Sequence, residues 1–295
     1  MRVPKVDRAR AAGAAVLVLL LLSLPVWAGS FSVQLAIRGL YLGIVAMSFI
    51  LLAGFGDMVS LAQMSFVAMG GYVIGIGSMR YGLPHYVLAP LAVVGATALS
   101  ALFGLIAIRG KKIYFLIMTL ALSQLFYGVG MQWATVTGGY NGITGISRPT
   151  ILGFSLIDTI PLYYLTLLVT AASYVALRHL IRSPFGLSLQ GVRDNPRRMA
   201  ALGFNVQMIR YFAIVVSGFF AGIAGVLTVY FTGNISPQRA HLPQSVLVVM
   251  AALVGGVRTF AGGVLGGILV AFLISIASSI TTRYWSIVGV LFIVI

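Results

Sequence analysis

The sequence predicts an all-α polytopic membrane protein of about ten transmembrane helices, about eight at the fewest, with broken glycine-rich helices among them. Three observations carry this. Of 295 residues, 60% are hydrophobic, only 8% are charged and 35 are glycine, a balance no ordinary soluble domain shows. Apolar runs approaching the ~20 residues that cross a bilayer recur along the whole chain. Glycine at this density suits helices packed closely within a membrane.

The runs lie near 11–28, 33–54, 63–79, 86–108, 113–133, 159–178, 211–231, 244–257, 262–281 and 284–295, within one domain spanning 1–295. The first thirty residues resemble a signal peptide, with a basic start and a leucine-rich stretch. Val26-Trp27-Ala28 makes a poor cleavage region, so an uncleaved first helix is expected. Residues 54–77 are a glycine turn leading into a small-residue helix, and the short run 244–257 precedes a similar glycine-rich stretch, 255–267. Broken helices of this kind are tolerated in a membrane only where they are buried in protein or line a cavity. They supply the pore candidates: Gly56, Ser60, Gln63, Gly70, Gly71 and Tyr72 in the first, and Gly255, Gly256 and Thr259 in the second. The last run, from Tyr284, spans ~18 Å, so either the final helix is partial or the natural chain continues.

Charge sets the expected orientation. With the N-terminus in the cytoplasm, fourteen bases fall inside: Arg2, Lys5, Arg8, Arg10, Arg109, Lys111, Lys112, Arg178, Arg182, Arg193, Arg197, Arg198, Arg210 and Arg258. Five fall outside: Arg38, Arg80, Arg148, Arg239 and Arg283. This is the positive-inside pattern, and Trp27, Trp133 and Trp285 fall at outer span ends, where indoles favour the interface. The net charge of +15 is spread over membrane boundaries, which argues against nucleic acid. Cysteine is absent, excluding disulfides and cysteine-based metal sites, and the acids are Asp7, Asp57, Asp158 and Asp194 alone.

The cytoplasmic segment 182–210 is basic and helix-forming. Asn195 suits an N-cap, Pro196 the first helical position and Gly203 the left-handed stop, leaving about seven residues, or ~10 Å of helix. Arg197 and Arg198 sit at its positive end, where cations are mildly unfavourable. Two explanations stay open: an acidic partner surface, or topology signalling alone.

Ser60-x-x-Gln63 reads either as pore polarity or as a capping box opening the third span. Asp57 reads as a helix-start carboxylate ahead of a proton relay. The outer loop Thr137, Gly138, Gly139, Asn141, Gly142 reads as a gate, a partner contact or an ordinary turn. His85, His179 and His241 lack metal-ligand spacing, so no metal is expected. Gly218-x-x-x-Gly222 and Gly262-x-x-x-Gly266 read as close-packing faces. No Ser/His/Asp order, metal cluster or paired carboxylates supports an enzyme.

From Leu51 to Gly267 the chain resembles the permease subunits of branched-chain amino acid ABC importers, a family that also handles urea and short amides. The resemblance rests on Gly54-Phe55-Gly56, Ser60-Leu61-Ala62-Gln63, Gly70-Gly71-Tyr72 and Thr137-Gly138-Gly139-Tyr140-Asn141-Gly142-Ile143. It continues in Ser183-Pro184-Phe185-Gly186, Gly191-Val192-Arg193-Asp194-Asn195-Pro196 and Ala200-Ala201-Leu202-Gly203. Phe212, Ser217, Ala221-Gly222-Ile223-Ala224-Gly225, Gly255-Gly256, Thr259, Gly262 and Gly266 complete it, while Arg258 stands where the family usually has glycine.

The resemblance implies a translocation subunit forming half of a pore in the bacterial inner membrane, importing branched-chain or related hydrophobic amino acids. Its partners would be a second, homologous permease, two cytoplasmic ABC ATPases that use ATP and Mg, and an extracytoplasmic substrate-binding protein. The chain itself would bind no cofactor, and GxxxxGK[ST] indeed occurs nowhere in it. Arg193, Asp194, Asn195, Pro196, Arg197, Arg198, Ala200, Ala201, Leu202 and Gly203 would form the coupling helix. Urea, amides or aromatic acids are alternative substrates within the family. A different class, an ion-coupled secondary carrier, would need an intramembrane acid, for which Asp57 is the candidate.

Overall fold

The computed structural model describes residues 20–280, apart from Val26, Lys111, Leu152 and Gly153. Its long helices are α1 (Ser30–Gly56), α2 (Gln63–Tyr81), α3 (His85–Ala107) and α4 (Ile113–Gln132). After the short α5 (Ala134–Thr137) come α6 (Thr159–Arg182), then α7 (Pro184–Asp194) and α8 (Pro196–Ala201). The chain goes on through α9 (Val206–Thr232), α10 (Leu242–Gly255) and α11 (Phe260–Ile280). The polytopic all-α reading is borne out, and eight expected spans appear with boundaries within about five residues. The expected spans 11–28 and 284–295 lie largely or wholly outside the described residues, as does Trp285. Six of the described helices are long and apolar enough to cross a bilayer, α2 and α10 being the exceptions among the eight.

Burial sorts the bundle into a centre and a rim. In α1, 94% of the most apolar stretch is buried, against 28% in each of α3 and α4. The even apolarity of α1 therefore marks a helix enclosed by protein, while the outer faces of α3 and α4 are left for lipid. Around α1 pack α11, α9, α6 and α10.

Small residues set how closely these helices approach. Gly39 and Gly43 of α1 face Ile268 and Val264 of α11, while Gly263 and Gly267 of α11 reach back to Met47 and Gly43. This paired small-xxx-small crossing was not anticipated. The two expected packing faces are borne out: Gly218 and Gly222 of α9 meet Ser100 and Ala96 of α3, and Gly262 and Gly266 meet the backbone of Gly255 and Ala251 on α10.

Two antiparallel ladders complete the fold, β1 (Ile143–Thr144) with β4 (Asn234–Ile235) and β2 (Thr150–Ile151) with β3 (Phe154–Ser155). The first ties the connection after α5 to the chain just beyond α9.

A side chain at Gly266 collides with backbone that cannot step aside, so Gly266→Leu is expected to destabilise by more than the ~1–3 kcal/mol of ordinary overpacking. Gly128, with nothing within 4 Å of an added Cβ, provides the control, and Gly128→Ala is expected to be neutral. Melting temperature and the monodisperse fraction in detergent measure both.

Candidate functional site

α2 starts inside the bundle. Between Asp57 and Gln63 the chain leaves helical geometry with Asp57 and Val59 exposed but Met58, Ser60 and Ala62 buried. Non-helical backbone at that depth needs partners from within the protein. Leu61 N donates to Thr119 Oγ1 of α4 at 3.2 Å, and Ala62 N donates to Ser60 Oγ at 3.3 Å.

Gln63 then joins three helices. Ser48 Oγ of α1 donates to Gln63 Oε1 at 3.1 Å, and Gln63 Nε2 donates to Ser217 Oγ of α9 at 2.8 Å. All three residues are buried. The capping-box reading is thereby corrected. Gln63 is the first residue of α2, behind Ala62 as N-cap, so it occupies N1 and not the N3 position from which a box closes. Its amide is 1% exposed and is satisfied laterally instead.

A second break enters from the other end of the bundle. α9 stops at Gly233 in the left-handed conformation, and the chain turns back through a 3-10 turn, Pro237–Ala240, before α10 begins. Ser123 Oγ of α4 donates to Ala240 O at 3.2 Å and lies 2.9 Å from Ser65 Oγ of α2. The start of α2 and the approach to α10 thus converge on Ser123, deep within α4.

The pore candidates divide by position. Ser60 and Gln63 lie at this polar centre, whereas Gly70 faces Gly222 and Ala92, and Gly71 faces Ile235 and Val229. Those two glycines, offered as pore-lining, are close-packing positions against α9, α3 and β4. Tyr72 is buried one residue further on. Gly56 packs near Leu189 of α7, and Gly255 meets Gly262. Gly256 turns the chain at φ +94°, and Thr259 Oγ1 accepts from Gly262 N at 3.2 Å as the cap of α11.

The expected outer loop is ordered by its own hydrogen bonds. Thr137 Oγ1 donates to Gly130 O at 2.6 Å and accepts from Gly139 N at 3.1 Å. Gly138 and Gly142 abut backbone, of Gly142 and Ile235 respectively, while Asn141 is exposed.

Asp57 is also corrected. It ends α1 in the left-handed conformation (φ 54°) instead of starting a helix. A carboxylate there opposes the helix dipole, and Lys112 Nζ at 3.7 Å offsets it. Both side chains are more than half exposed, so this acid is no intramembrane ion site.

The insert holds two helices where one was expected. In α8, Asn195 Oδ1 accepts from Arg198 N at 3.0 Å, Pro196 opens the helix and Gly203 (φ +86°) follows it, as read from sequence. α7 was not foreseen, although Ser183-Pro184 carries the same start signal, Ser183 Oγ accepting from Gly186 N. Its Gly186, Leu189 and Val192 are buried against the bundle. Arg193 fixes the junction: it donates to Gly54 O at 3.1 Å and pairs with Asp194 at 2.8 Å. Gly54 in turn abuts Val257 in the α10–α11 turn. One contact chain therefore joins the insert, the end of α1 and the glycine-rich turn. Beyond Arg193 nothing in α8 is buried, and Arg197, Arg198, Leu202 and Phe204 are exposed. Next to it, Asp57, Lys112, Arg197 and Arg210 line a cleft of about 400 Å³. Among the described residues no group of acids and histidines is placed to hold a metal.

A family profile described as the branched-chain amino acid transport system permease component matches residues 31–295. The chain belongs to that permease family. It is similar to the high-affinity branched-chain amino acid transport system permease protein LivM of Escherichia coli (strain K12), 26% identical over 77% of this chain and 57% of that protein. The LivM protein of Salmonella typhimurium is 26% identical over 81% of the chain and 61% of its own length. A probable branched-chain amino acid transport permease protein, LivH, of Methanocaldococcus jannaschii is 28% identical over 76% and 71%. The chain spans about three-fifths of the length of the two LivM proteins. No solved structure matches it significantly. In this permease, the motif residues from Gly54 to Gln63 and from Gly191 to Pro196 converge on the end of α1.

Gln63→Leu is expected to leave Ser217 without a partner, while Ser48 keeps its bond to Val45 O, costing ~1–3 kcal/mol for the polar group left unsatisfied. The thermal midpoint should fall, and Gln63→Leu combined with Ser217→Ala should recover part of the loss.

Proposed function

We propose that this permease is one translocation subunit of an ATP-driven importer for branched-chain or related hydrophobic amino acids. The observation that carries the reading is the α7–α8 insert within a chain of this family. α7 is fastened to the bundle through Leu189, Val192 and Arg193, while α8 leaves Arg197, Arg198 and Leu202 uncovered. Among the described residues neither Arg197 nor Arg198 has an ion-pair partner. A basic, partly apolar helix end on a rigid mount fits a groove with acidic walls.

In this reading α8 docks on one of two cytoplasmic ATPases, which carry the ATP and Mg chemistry. A second, homologous permease completes the pore, and an extracytoplasmic binding protein delivers and selects the substrate. The chain is not itself an enzyme, and its sequence has no phosphate-binding GxxxxGK[ST] loop. Movement of α8 reaches the membrane through Arg193 and the end of α1, towards the α10–α11 turn. The protein sits in the plasma membrane with its N-terminus and the insert on the cytoplasmic side.

Arg198→Glu separates docking from topology. The new charge suits a helix N-terminus, by ~0.3–1 kcal/mol, so folding and membrane abundance should hold. Against an acidic groove the same change is repulsive, so the ATPases should no longer co-purify and uptake should fall to background. Wild-type co-purification and uptake would remove Arg198 from the docking surface.

Orientation is tested separately, since the chain has no cysteine of its own. A cysteine at exposed Ala200 is expected to resist an impermeant thiol reagent in intact cells and to react once the membrane is opened. Labelling in intact cells would reverse the orientation.

A further inference from the structure

At the end of the bundle away from the insert, a cleft runs between α1, α9, the turn 237–240 and α10. Arg38 of α1 and Arg239 of the turn both line it, with Tyr41, Thr228 and Gln244 as its uncharged polar residues. Both arginines are half-buried. Among the described residues neither forms an ion pair, and neither guanidinium donates to a described partner.

Two like charges on one narrow cleft within an apolar bundle repel each other, and charge in such a place is costly unless paired. The protein offers little to pair them with. Of its four acids, Asp57 and Asp194 lie at the insert end and Asp158 directly precedes α6; none of these three lines the cleft. Asp7 lies outside the described residues. A further feature has the same sign. α10 starts at the cleft with no side chain capping its N-terminus, and Gln244 sits in its first turn. Pro243 has no N–H and Gln244 N donates to His241 O, so the start of α10 adds only the weak positive end of the helix dipole.

The remaining wall is apolar: Leu42, Val45, Met64, Val67, Leu247 and Ile274. A ligand matched to this surface has an anionic head and an apolar tail. Enclosed space is about 20 Å³, enough for a group the size of one water. A carboxylate, with three heavy atoms, needs more than this, so the Arg38 and Arg239 side chains must draw apart to admit it. The tail needs side chains to move, and Met64, unbranched and flexible, is the one suited to it.

We propose that this cleft binds the carboxylate of a small apolar-tailed solute, with Arg38 and Arg239 as its paired counter-charges. Its position at the second helix break, before α10, places it where a solute entering from that end first meets polar groups inside the bundle. The assignment deepens the transport reading, resting on it for the solute's passage but not for its binding. The carboxylate has two sources, an amino acid or the same aliphatic skeleton lacking an ammonium group, and the two-arginine wall without a described acid recognises the feature they share.

The test uses the full wild-type chain in detergent, labelled with the arginine reagent phenylglyoxal and read at each arginine by mass spectrometry. Leucine, 4-methylpentanoate and 3-methylbutylamine are the probes, and Arg80 and Arg148, both bonded to backbone carbonyls, are internal references. At a concentration about ten times its Kd, a bound carboxylate should slow labelling of Arg38 and Arg239 about tenfold and leave the references unchanged. Protection by leucine and 4-methylpentanoate identifies the amino acid carboxylate, and protection by 4-methylpentanoate alone identifies the simple anion. No protection by either, or equal protection by the amine, overturns the site. In Arg38→Gln, protection of Arg239 should disappear; if it persists, the two arginines do not form one site. None of these readouts involves the ATPases. Failure of ATP-driven import would appear in co-purification and uptake, failure of the cleft in labelling alone.

Discussion

The structure depends on a single constraint: backbone polar groups that leave helical geometry inside a membrane bundle must find partners there. Two segments leave it, one before α2 and one before α10, and they enter from opposite ends. Ser123 of α4 donates to Ala240 O in the second segment and meets the hydroxyl of Ser65 in the first turn of α2, just past the first segment. Thr119, one turn away, takes the amide of Leu61. Thus α4, mostly on the lipid-facing rim, holds both breaks through two small hydroxyls. Gln63 joins α1 to α9 through the hydroxyls of Ser48 and Ser217.

Close packing makes this centre rigid. Gly39 and Gly43 bring α11 against α1, and Gly218 and Gly222 bring α3 against α9. With the flanking helices fixed, displacement at the insert has a defined route inward, from Arg193 to Gly54 and on to Val257. The first contact on that route is the Arg193 guanidinium on Gly54 O, and the second is backbone against backbone, Gly54 on Val257. In the 255–267 stretch, Gly255, Gly262 and Gly266 serve the α10–α11 crossing, while Gly263 and Gly267 face α1.

Hydropathy revealed most of the helices because apolarity over ~20 residues is itself the requirement for spanning. The caps of α8 were legible because Asn195, Pro196 and Gly203 act locally. What escaped notice depends on partners far apart in sequence. Gln63 and Ser217 are 154 residues apart, and no local pattern distinguishes that pair from a capping box. Asp57 was placed at the wrong kind of helix end because the left-handed stop of α1 fell on it instead of on neighbouring Gly56. α7 was missed although Ser183-Pro184 announced it, since its buried face holds only Gly186, Leu189 and Val192. Arg38 and Arg239 read as boundary charges because only the return of the chain after α9 puts them on one cleft.

Convergence of the two breaks on Ser123 is the central structural claim, and cross-linking tests it most directly in a chain without native cysteine. Ser65 and Ser123 carry hydroxyls 2.9 Å apart, so paired cysteines there are within reach of a disulfide with little backbone movement. In membranes treated with a mild oxidant, Ser65→Cys/Ser123→Cys is expected to form an intramolecular disulfide nearly to completion. Ser65→Cys paired with Ser100→Cys, on the α3–α9 contact, is expected to remain reduced. An absence of cross-linking in the first pair, with both cysteines intact and the protein folded, would contradict the account.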